Sequence, residues 1–429
     1  MNTQNPVLLV AYQCGPGMGS VSQIGWEWFS GMAAHRPVTL LTHVRNRAAI
    51  EAAPDKPPAE IIYVDTEWFA GPLYRLAKRL FPRSEHSVFL VSQLDYFVFD
   101  FVALRQLKAR LRQGAAWRLL HIVTPVTLSA PTLLGRLGLP MVRGPLNCGL
   151  PLPPGFPEIL QREGSGLARL RVLPAMVEAL LGSLRGSAAI LVATKATRAA
   201  VPVNAQHRCV PMVENAVDLT RFTEAPALAP PSAGNPLRIS FVGRLVPFKA
   251  LQLLLQALAE LRGQGVAVQL TVAGSGPMEA EWRQLCTSLG LDACVQWLGN
   301  VPLKDVAQVM QDSHVFCLPS IRESGGAVLL EAMACARPVI GLDFGGPGEV
   351  VDEDVGWKLP MPNAAGVVQG LVRVLREAVE QPEQAAAKGR RGRDRVVARY
   401  TWPAKLREAS ALYDRLIQAP QAPHLEKLA

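Results

Sequence analysis

The chain has 429 residues, 49% of them hydrophobic, and its 44 basic against 35 acidic side chains give a net charge of +9. This length is more than one hydrophobic core usually serves, so we expect two or three domains, and the basic excess favours an anionic partner. Seven scattered cysteines without a C-x-x-C spacing argue against a disulfide framework and a zinc site, and no apolar segment is long and uncharged enough to cross a membrane.

The amino-terminal half opens with a strand, a glycine-rich loop and a helix. Val7 to Tyr12 is a short apolar run typical of a buried strand, Gly17 and Gly19 lie in the loop, and helical periodicity runs from about Val21 to Ala34. This order predicts the first unit of a Rossmann-like domain. Glycines also serve turns that bind nothing, so the loop alone does not establish a ligand site.

Further strand patterns continue a β/α alternation. They cover Pro37 to Thr42, Ile61 to Val64, Trp117 to Val123 and Ala188 to Thr194. His121 lies near the carboxyl end of a predicted strand, where residues of α/β domains face the ligand crevice, although a core histidine bonded to backbone is the commoner case. The segment Arg143 to Gly149 is rich in turn residues, and Gly155 to Leu184 is predicted to be helical with an interruption at Pro174.

Two segments of this half combine apolar and basic residues. The first holds Trp68, Phe69, Leu73, Leu76, Leu80 and Phe81 together with Arg75, Lys78, Arg79 and Arg83, and the second holds Arg105, Lys108, Arg110, Arg112 and Arg118. Such segments suit the surface of an anionic membrane, where basic residues meet headgroups and apolar side chains insert. The alternative is a solvated helix face whose apolar residues pack inward, and the sequence favours this slightly.

The carboxy-terminal half follows a proline-rich linker at 224–236. Its predicted strands are Arg238 to Val242, Val268 to Ala273, Val295 to Leu298, Val315 to Leu318 and Val339 to Leu342. Arg244 and Lys249 lie in or just after the loop that follows the first of these strands. A guanidinium and an ammonium together can neutralise a diphosphate, whereas simple surface placement is the usual explanation for such a pair.

A loop that becomes a helix lies between Arg322 and Pro338. Gly325 and Gly326 are placed at the mouth of the predicted helix, where unpaired amides and the helix dipole favour a phosphate. Glu323 in the loop and Glu331 in the helix are separated by seven residues, so both carboxylates can face one ligand rich in hydroxyl groups. Glu331 could equally lie on the solvated side of the helix.

Three motifs together resemble the retaining glycosyltransferases of the GT-B group often called family 4. They are the E-x7-E pair Glu323 and Glu331, the segment Phe241 to Lys249, and Gly345-Gly346-Pro347. The resemblance covers about residues 237 to 417 well and the amino-terminal half more loosely. It implies an α/β fold of the GT-B type, with two Rossmann-like domains facing each other across a cleft and a last helix that crosses back. The expected boundaries are 1–223, a linker at 224–236, 237–402, and a returning helix with a frayed tail at 403–429.

The resemblance implies transfer of a hexosyl unit from a nucleotide-diphosphate sugar to a hydroxyl acceptor, with retention at the anomeric carbon and without a metal or other cofactor. It assigns the ribose hydroxyls to Glu331, the sugar hydroxyls to Glu323, and the diphosphate to Arg244 and Lys249. The remaining implied donor contacts are Ser324, the amides of Gly325 and Gly326, Gly17 and Gly19 in the first loop, His121 near the sugar, and backbone atoms of Asn300 and Val301 at the nucleobase.

Two departures from the family pattern affect the donor loop and the domain crossover. Ser324-Gly325-Gly326 stands where Gly-Phe-Gly is more common, which removes an aromatic side chain, and Ala216 replaces a usual glycine in the segment Glu214 to Phe222. The amide donors remain, so the donor loop keeps its predicted role.

Three alternatives remain open at this point. The same architecture occurs in sugar-nucleotide epimerases and hydrolases, and a non-catalytic relative would only bind the nucleotide sugar. A basic nucleic-acid or dinucleotide-binding protein is disfavoured because a full G-x-G-x-x-G, a basic recognition helix and stacking aromatics are missing. The expected partners are therefore a nucleotide sugar, a saccharide or lipid-linked acceptor as in polysaccharide assembly, and an anionic membrane surface, but no nucleic acid. The residues from Met1 to Pro6 contain no basic segment ahead of an apolar run, so we expect no signal peptide. The scattered cysteines suit a reducing cytosol, and the basic, apolar segments would bring a cytoplasmic protein to the inner face of the membrane.

Overall fold

The computed structural model describes residues 5–80, 94–153, 155–157, 159, 177–178, 180–232 and 234–419. Some of the sequence predictions fall outside these residues. They are Phe81 and Arg83 of the first basic segment, most of the helix predicted from Gly155 to Leu184 including Pro174, and the tail from residue 420.

Within the residues just given, the first sheet has seven strands in the order β3-β2-β1-β4-β5-β6-β7, and all of these pairings are parallel. The strands are β1 Val7–Ala11, β2 Val38–His43, β3 Glu60–Val64, β4 Leu119–Thr124, β5 Met141–Leu146, β6 Ala189–Val192 and β7 Cys209–Pro211. Nearly all of their residues are buried except in β3 and β7, because helices cover both faces of a parallel sheet.

Strand β5 corrects one sequence prediction. The segment from Arg143 was predicted as turns, yet Met141–Leu146 is a fully buried strand. Arg143 lies opposite Ile122 of β4 and Ile190 of β6, so both of its neighbours supply ladder partners. Gly144 has a φ of 112° and the register shifts beside it. Pairing on both sides therefore overrides the local turn preference of glycine and proline.

Helices connect the strands of the first domain. They are α1 Ser20–Ala33, α2 Arg47–Glu51, α3 Glu67–Leu80, α4 Asp95–Arg112 and α5 Lys195–Ala200. Helix α1 buries Trp28, Phe29 and Met32 against the sheet. None of the helices in the described part of the chain is both long enough and apolar enough to span a bilayer.

The described part of the second domain forms a sheet of six parallel strands in the order β10-β9-β8-β11-β12-β13. Its strands are β8 Leu237–Val242, β9 Val268–Ala273, β10 Val295–Gly299, β11 Val315–Leu318, β12 Val339–Leu342 and β13 Gly356–Leu359. Its helices are α6 Leu251–Gly263, α7 Glu279–Ser288, α8 Val306–Gln311, α9 Ala327–Ala334, α10 Gly345–Val350, α11 Ala364–Glu380 and α12 Pro382–Arg399. The segment Asp343 to Glu349 was predicted as a turn, but most of it forms α10.

The last helix, α13 Trp402–Gln418, returns to the first domain. Thr401 caps its start by accepting a hydrogen bond from the Ala404 amide at 3.3 Å. Leu406, Ala409 and Tyr413 then pack into the core that contains α1, and Arg36 pairs with Asp414 at 3.1 Å. Two Rossmann-like sheets joined by a helix that crosses back are the architecture expected from the sequence.

Candidate active site

Five loops meet at the carboxyl edge of the second sheet. They follow β8, β9, β10, β11 and β12. Because the strands are parallel, residues that are far apart in sequence come to one side of the domain, which is where open α/β sheets bind ligands. Leu150, which follows β5, would lie 3.2 Å from a Cβ built on Gly345, so this edge faces the first domain.

Lys249 and Glu323 form an ion pair at this edge, between Lys249 Nζ and Glu323 Oε2. Their side chains are 13% and 16% exposed. Lys249 ends a 3-10 turn after β8, whereas Glu323 lies in the loop from β11 to α9, residues 319–326, here called the donor loop. Glu323 Oε1 also accepts a weak hydrogen bond from the Gly326 amide at 3.4 Å. The fold therefore joins the predicted phosphate-binding cation to the predicted sugar-binding acid.

The mouth of α9 suits a bound anion. Gly326 precedes the helix with a φ of 62°, and apart from the weak bond of its amide to Glu323 no side chain of the described residues caps the helix start. Gly325 and Gly326 are buried, while Ser324 is exposed. An uncapped helix start leaves amide hydrogens and the positive end of the helix dipole available to a phosphate.

Glu331 lies on the second turn of α9 and is partly buried. Burial raises the pKa of its carboxyl to about 7, and the nearby Arg221 guanidinium opposes this shift. Arg221 belongs to the segment that connects the two sheets. A carboxyl held among the apolar residues of α9, with a cation opposite, is prepared to accept hydroxyl hydrogens from a ligand.

The other predicted residues of this domain also lie at the carboxyl edge. Arg244 follows β8 and is exposed, and within the described residues its guanidinium makes no hydrogen bond or ion pair. Asn300 and Val301 follow β10, and Asn300 Oδ1 accepts a hydrogen bond from the Ser275 hydroxyl at 2.7 Å. The backbone of Asn300 and Val301 thus lies beside the turn that follows β9.

Sequence reasoning missed a polar group beneath the donor loop. Glu214 is 6% exposed, and its Oε1 accepts a hydrogen bond from Asn147 Nδ2. A Cβ built on Gly325 would overlap Glu214 Oε1 and Asn215 Nδ2, so the donor loop lies directly on these residues. Lys405 of α13 is 3% exposed and donates to the Asn215 carbonyl. The only sequence signal was the crossover motif that contains Glu214.

His121 does not reach the cleft, which corrects the role that the resemblance implied. It is fully buried beneath α13. Its Nε2 lies 2.6 Å from the Gly144 carbonyl, which can only accept, so Nε2 carries the hydrogen and Nδ1 accepts one from the Tyr413 hydroxyl. Burial lowers the pKa of His121 to about 3, so the ring is neutral. Neither ring nitrogen is left for a sugar.

Gly17 and Gly19 lie in an exposed loop between β1 and α1. Their φ angles are 72° and 103°, and a Cβ on either residue would meet nothing within 4 Å. The Gly17 amide donates to Gln23 Oε1 at 3.3 Å. The positive φ angles favour glycine at both positions, and the space beside the loop is open.

Part of the chain is similar to known glycosyltransferases. Residues 229–393 match the family model for glycosyl transferases group 1. A protein of Escherichia coli (strain K12) named as a colanic acid biosynthesis glycosyltransferase, WcaL, is 35% identical over 162 residues, which are 36% of this chain and 39% of that protein. The matched parts of the first three curated relatives are 39%, 40% and 56% of their lengths.

Solved structures resemble the chain over nearly its whole length. Sucrose-phosphate synthase from Thermosynechococcus elongatus has a TM-score of 0.62 at 21% identity, covering 97% of this chain and 100% of that chain. The Anabaena protein HepE, solved with UDP, has a TM-score of 0.61 at 16% identity, covering 96% and 99%. The fold is thus GT-B, and the segment that carries Lys249, Glu323 and Glu331 is similar to the glycosyl transferases of group 1.

Proposed function

We propose that this chain transfers a hexosyl unit from a nucleotide-diphosphate sugar to a hydroxyl acceptor, with retention of the anomeric configuration. The observation that carries the proposal is the Lys249–Glu323 pair at the uncapped mouth of α9, with Glu331 on the same helix. A cation, the amides of a helix start and two carboxyl groups at one edge fit a ligand that combines a diphosphate with many hydroxyls.

Each group has a defined task in this proposal. Lys249, Arg244 and the amides of Gly325 and Gly326 hold the diphosphate. Glu323 accepts hydrogen bonds from the sugar hydroxyls, and Glu331 accepts them from the ribose. When the donor enters, its phosphate replaces the Glu323 carboxylate as a partner of Lys249, which frees that carboxylate for the sugar.

The transfer takes place on one face of the sugar. The bond from the anomeric carbon to the phosphate oxygen breaks, the acceptor oxygen forms its bond on the same side, and the acceptor proton passes to the departing phosphate oxygen. Lys249 and Arg244 stabilise the charge that grows on the phosphate, so no protein nucleophile is required. Closure of the two domains excludes water from this step.

The acceptor is proposed to be a saccharide or a lipid-linked saccharide in polysaccharide or glycoconjugate assembly. Support for this comes from the relative named for colanic acid biosynthesis and from the surface of α3. Trp68, Pro72 and Leu76 follow one another at four-residue spacing on the exposed face of α3, and Trp68 and Leu76 are 67% and 53% exposed. Phe69 and Leu73 are half-buried, so packing against the domain accounts for only part of the apolar set.

Basic side chains border this apolar face. Arg75 and Arg79 are exposed on the same side of α3 as Trp68. We propose that the face rests on anionic lipid at the inner surface of the membrane. Vesicles of phosphatidylcholine with phosphatidylglycerol should pull down the chain, high salt should release it, and Trp68→Ser with Leu76→Ser should weaken the binding. Leu303→Ser, at another exposed leucine, is the matched control, and equal binding to neutral vesicles would contradict the proposal.

A panel of nucleotide-diphosphate sugars tests the transferase proposal. The donor should raise the melting temperature, because a ligand at 100 times its dissociation constant adds about 2.7 kcal/mol to the free energy of unfolding. Incubation with donor and a set of glycosides should release nucleoside diphosphate, and the coupling constant of the new anomeric proton reports retention. Release of nucleoside diphosphate without an acceptor would favour a hydrolase, and binding without turnover would favour a non-catalytic relative.

A further inference from the structure

The donor loop rests on a buried acid that has no place in the reaction outlined above. Glu214 lies in the segment that connects the two sheets and is 6% exposed. Only one of its carboxyl oxygens is satisfied: Oε1 accepts from Asn147, whereas Oε2 is buried without a partner within the described residues. An acid buried in this way costs stability, since an unsatisfied buried polar group costs about 1–3 kcal/mol.

The contact between Glu214 and the donor loop is close. Gly325 has no side chain, and a Cβ there would overlap Glu214 Oε1 and lie 2.5 Å from Asn215 Nδ2. The donor loop is held on its other side by the turn after β12, where the Gly346 amide donates to the Glu323 carbonyl at 2.9 Å. The backbone that carries Glu323 is therefore enclosed between this turn and Glu214.

The group beneath the loop joins three distant parts of the chain. Asn147 follows β5 of the first sheet, Glu214 and Asn215 belong to the crossover, and Lys405 belongs to α13. Lys405 donates to the Asn215 carbonyl and stacks over the Trp402 ring at 4.8 Å. Burial raises the pKa of Glu214, the charge of Glu323 raises it further, and Lys405 opposes both. The charge of Glu323 therefore reaches Glu214.

We propose that Glu214 is a positioning residue, which supports the donor loop at Gly325 and so sets the direction of the Glu323 carboxylate towards the donor. This inference rests on the proposed donor site. The role explains why an acid lies beneath the loop in spite of its unsatisfied oxygen. The hydrogen bond from Asn147 fixes the conformation of the Glu214 side chain, and the donor loop packs on that side chain. It also connects the loop to the first domain through Asn147.

Donor kinetics of Glu214 variants test the inference. Glu214→Ala removes the support, so we expect the KM for the nucleotide sugar to rise about tenfold while kcat falls less, because the loop contributes mainly to donor binding. Glu214→Gln keeps the shape and can still accept from Asn147, so its KM should stay within about twofold of the wild type. Glu214→Asp, a milder change, should give an intermediate KM if the alanine variant does not fold.

Asp100→Asn is the matched control. Asp100 is also a buried acid, 2% exposed, but it bonds to Thr132 and Leu133 in the core of the first domain. This variant should lower the melting temperature and leave the donor KM unchanged. If folded Glu214→Ala likewise shows a lower melting temperature and an unchanged donor KM, Glu214 has a purely structural role and the inference is overturned.

Two other outcomes are informative. A donor KM raised as much in Glu214→Gln as in Glu214→Ala would overturn the inference. The charge of the Glu214 carboxylate, and not the packing of its side chain, would then act on the substrate. A wild-type chain that neither binds nor turns over any nucleotide sugar would overturn both proposals, whereas an active wild type with a normal Glu214→Ala KM would overturn only this one.

Discussion

The two domains present the same local pattern, a strand followed by a glycine loop and a helix, with different surroundings. In the first domain Gly17 and Gly19 are exposed and surrounded by open space. In the second domain Gly325 and Gly326 are buried between the crossover, the turn after β12 and the Lys249–Glu323 pair. Glycine therefore serves backbone conformation in the first loop and close packing at Gly325, and the Lys249–Glu323 ion pair lies at the second loop.

Removing either member of the Lys249–Glu323 pair should have the largest effect. Lys249→Met or Glu323→Gln is expected to lower kcat/KM for the donor about 100- to 1,000-fold, because each removes an electrostatic contact to the donor in the bound and transition states. The double variant should lose little more than either single variant, since the two residues act as a unit. Lys56→Met, which breaks a surface ion pair with Glu51, is the control. Unchanged kcat/KM in both single variants would remove the site assignment.

Adding one methyl group to each glycine loop compares the two directly. Gly325→Ala must displace Glu214 and Asn215, so we expect about a tenfold rise in the donor KM. A methyl group at Gly17 has room, but the φ of 72° is unfavourable for alanine. Gly17→Ala should therefore lower the free energy of unfolding by about 1 kcal/mol and raise the donor KM less than Gly325→Ala does. Equal changes in KM would mean that the first loop holds the donor as closely as the second.

Donor binding should depend on pH through Glu331. Its pKa is raised from 4.5 to about 7, and the ionised carboxylate accepts hydroxyl hydrogens at both oxygens. The dissociation constant of the nucleotide sugar should therefore fall as pH rises through about 7, and Glu331→Gln should remove this dependence. A pH-independent constant in the wild type would contradict the proposed ribose contact.

The same shift affects stability with a defined sign. Because the folded protein holds the Glu331 proton more tightly than the unfolded chain, this group makes the free energy of unfolding decrease as pH rises from about 4.5 to about 7. Thermal melts of wild type and Glu331→Gln across that range should diverge, with the glutamine variant losing less stability at higher pH.

His121→Phe should have the smallest effect on turnover. The change leaves the Gly144 carbonyl and the Tyr413 hydroxyl without their partner, so we expect the free energy of unfolding to fall by about 2–4 kcal/mol. The donor KM should stay at its wild-type value when measured well below the melting temperature. A raised donor KM in a folded His121→Phe variant would indicate that His121 contributes to the donor site after all.

Strands and the helix mouth could be predicted because they rest on local pattern. Val268–Ala273 and Val339–Leu342 were predicted with the bounds that the structure has. Strand β5 was missed because Gly144 and Pro145 are turn residues and only β4 and β6 supply its partners. His121 was misplaced because the strand pattern shows where a residue lies along the chain, but not that α13 returns from residue 402 to cover it.

The amino-acid sequence by itself determined the alternation of strands and helices, the uncapped glycine mouth of α9 and the presence of Lys249, Glu323 and Glu331, since periodicity and residue chemistry act over a few neighbouring residues. Only the tertiary structure decided that Lys249 meets Glu323, that Glu214 lies beneath Gly325 and that His121 belongs to the core. These contacts join residues 74 to 292 positions apart, and they depend on strand order and on the path of the last helix.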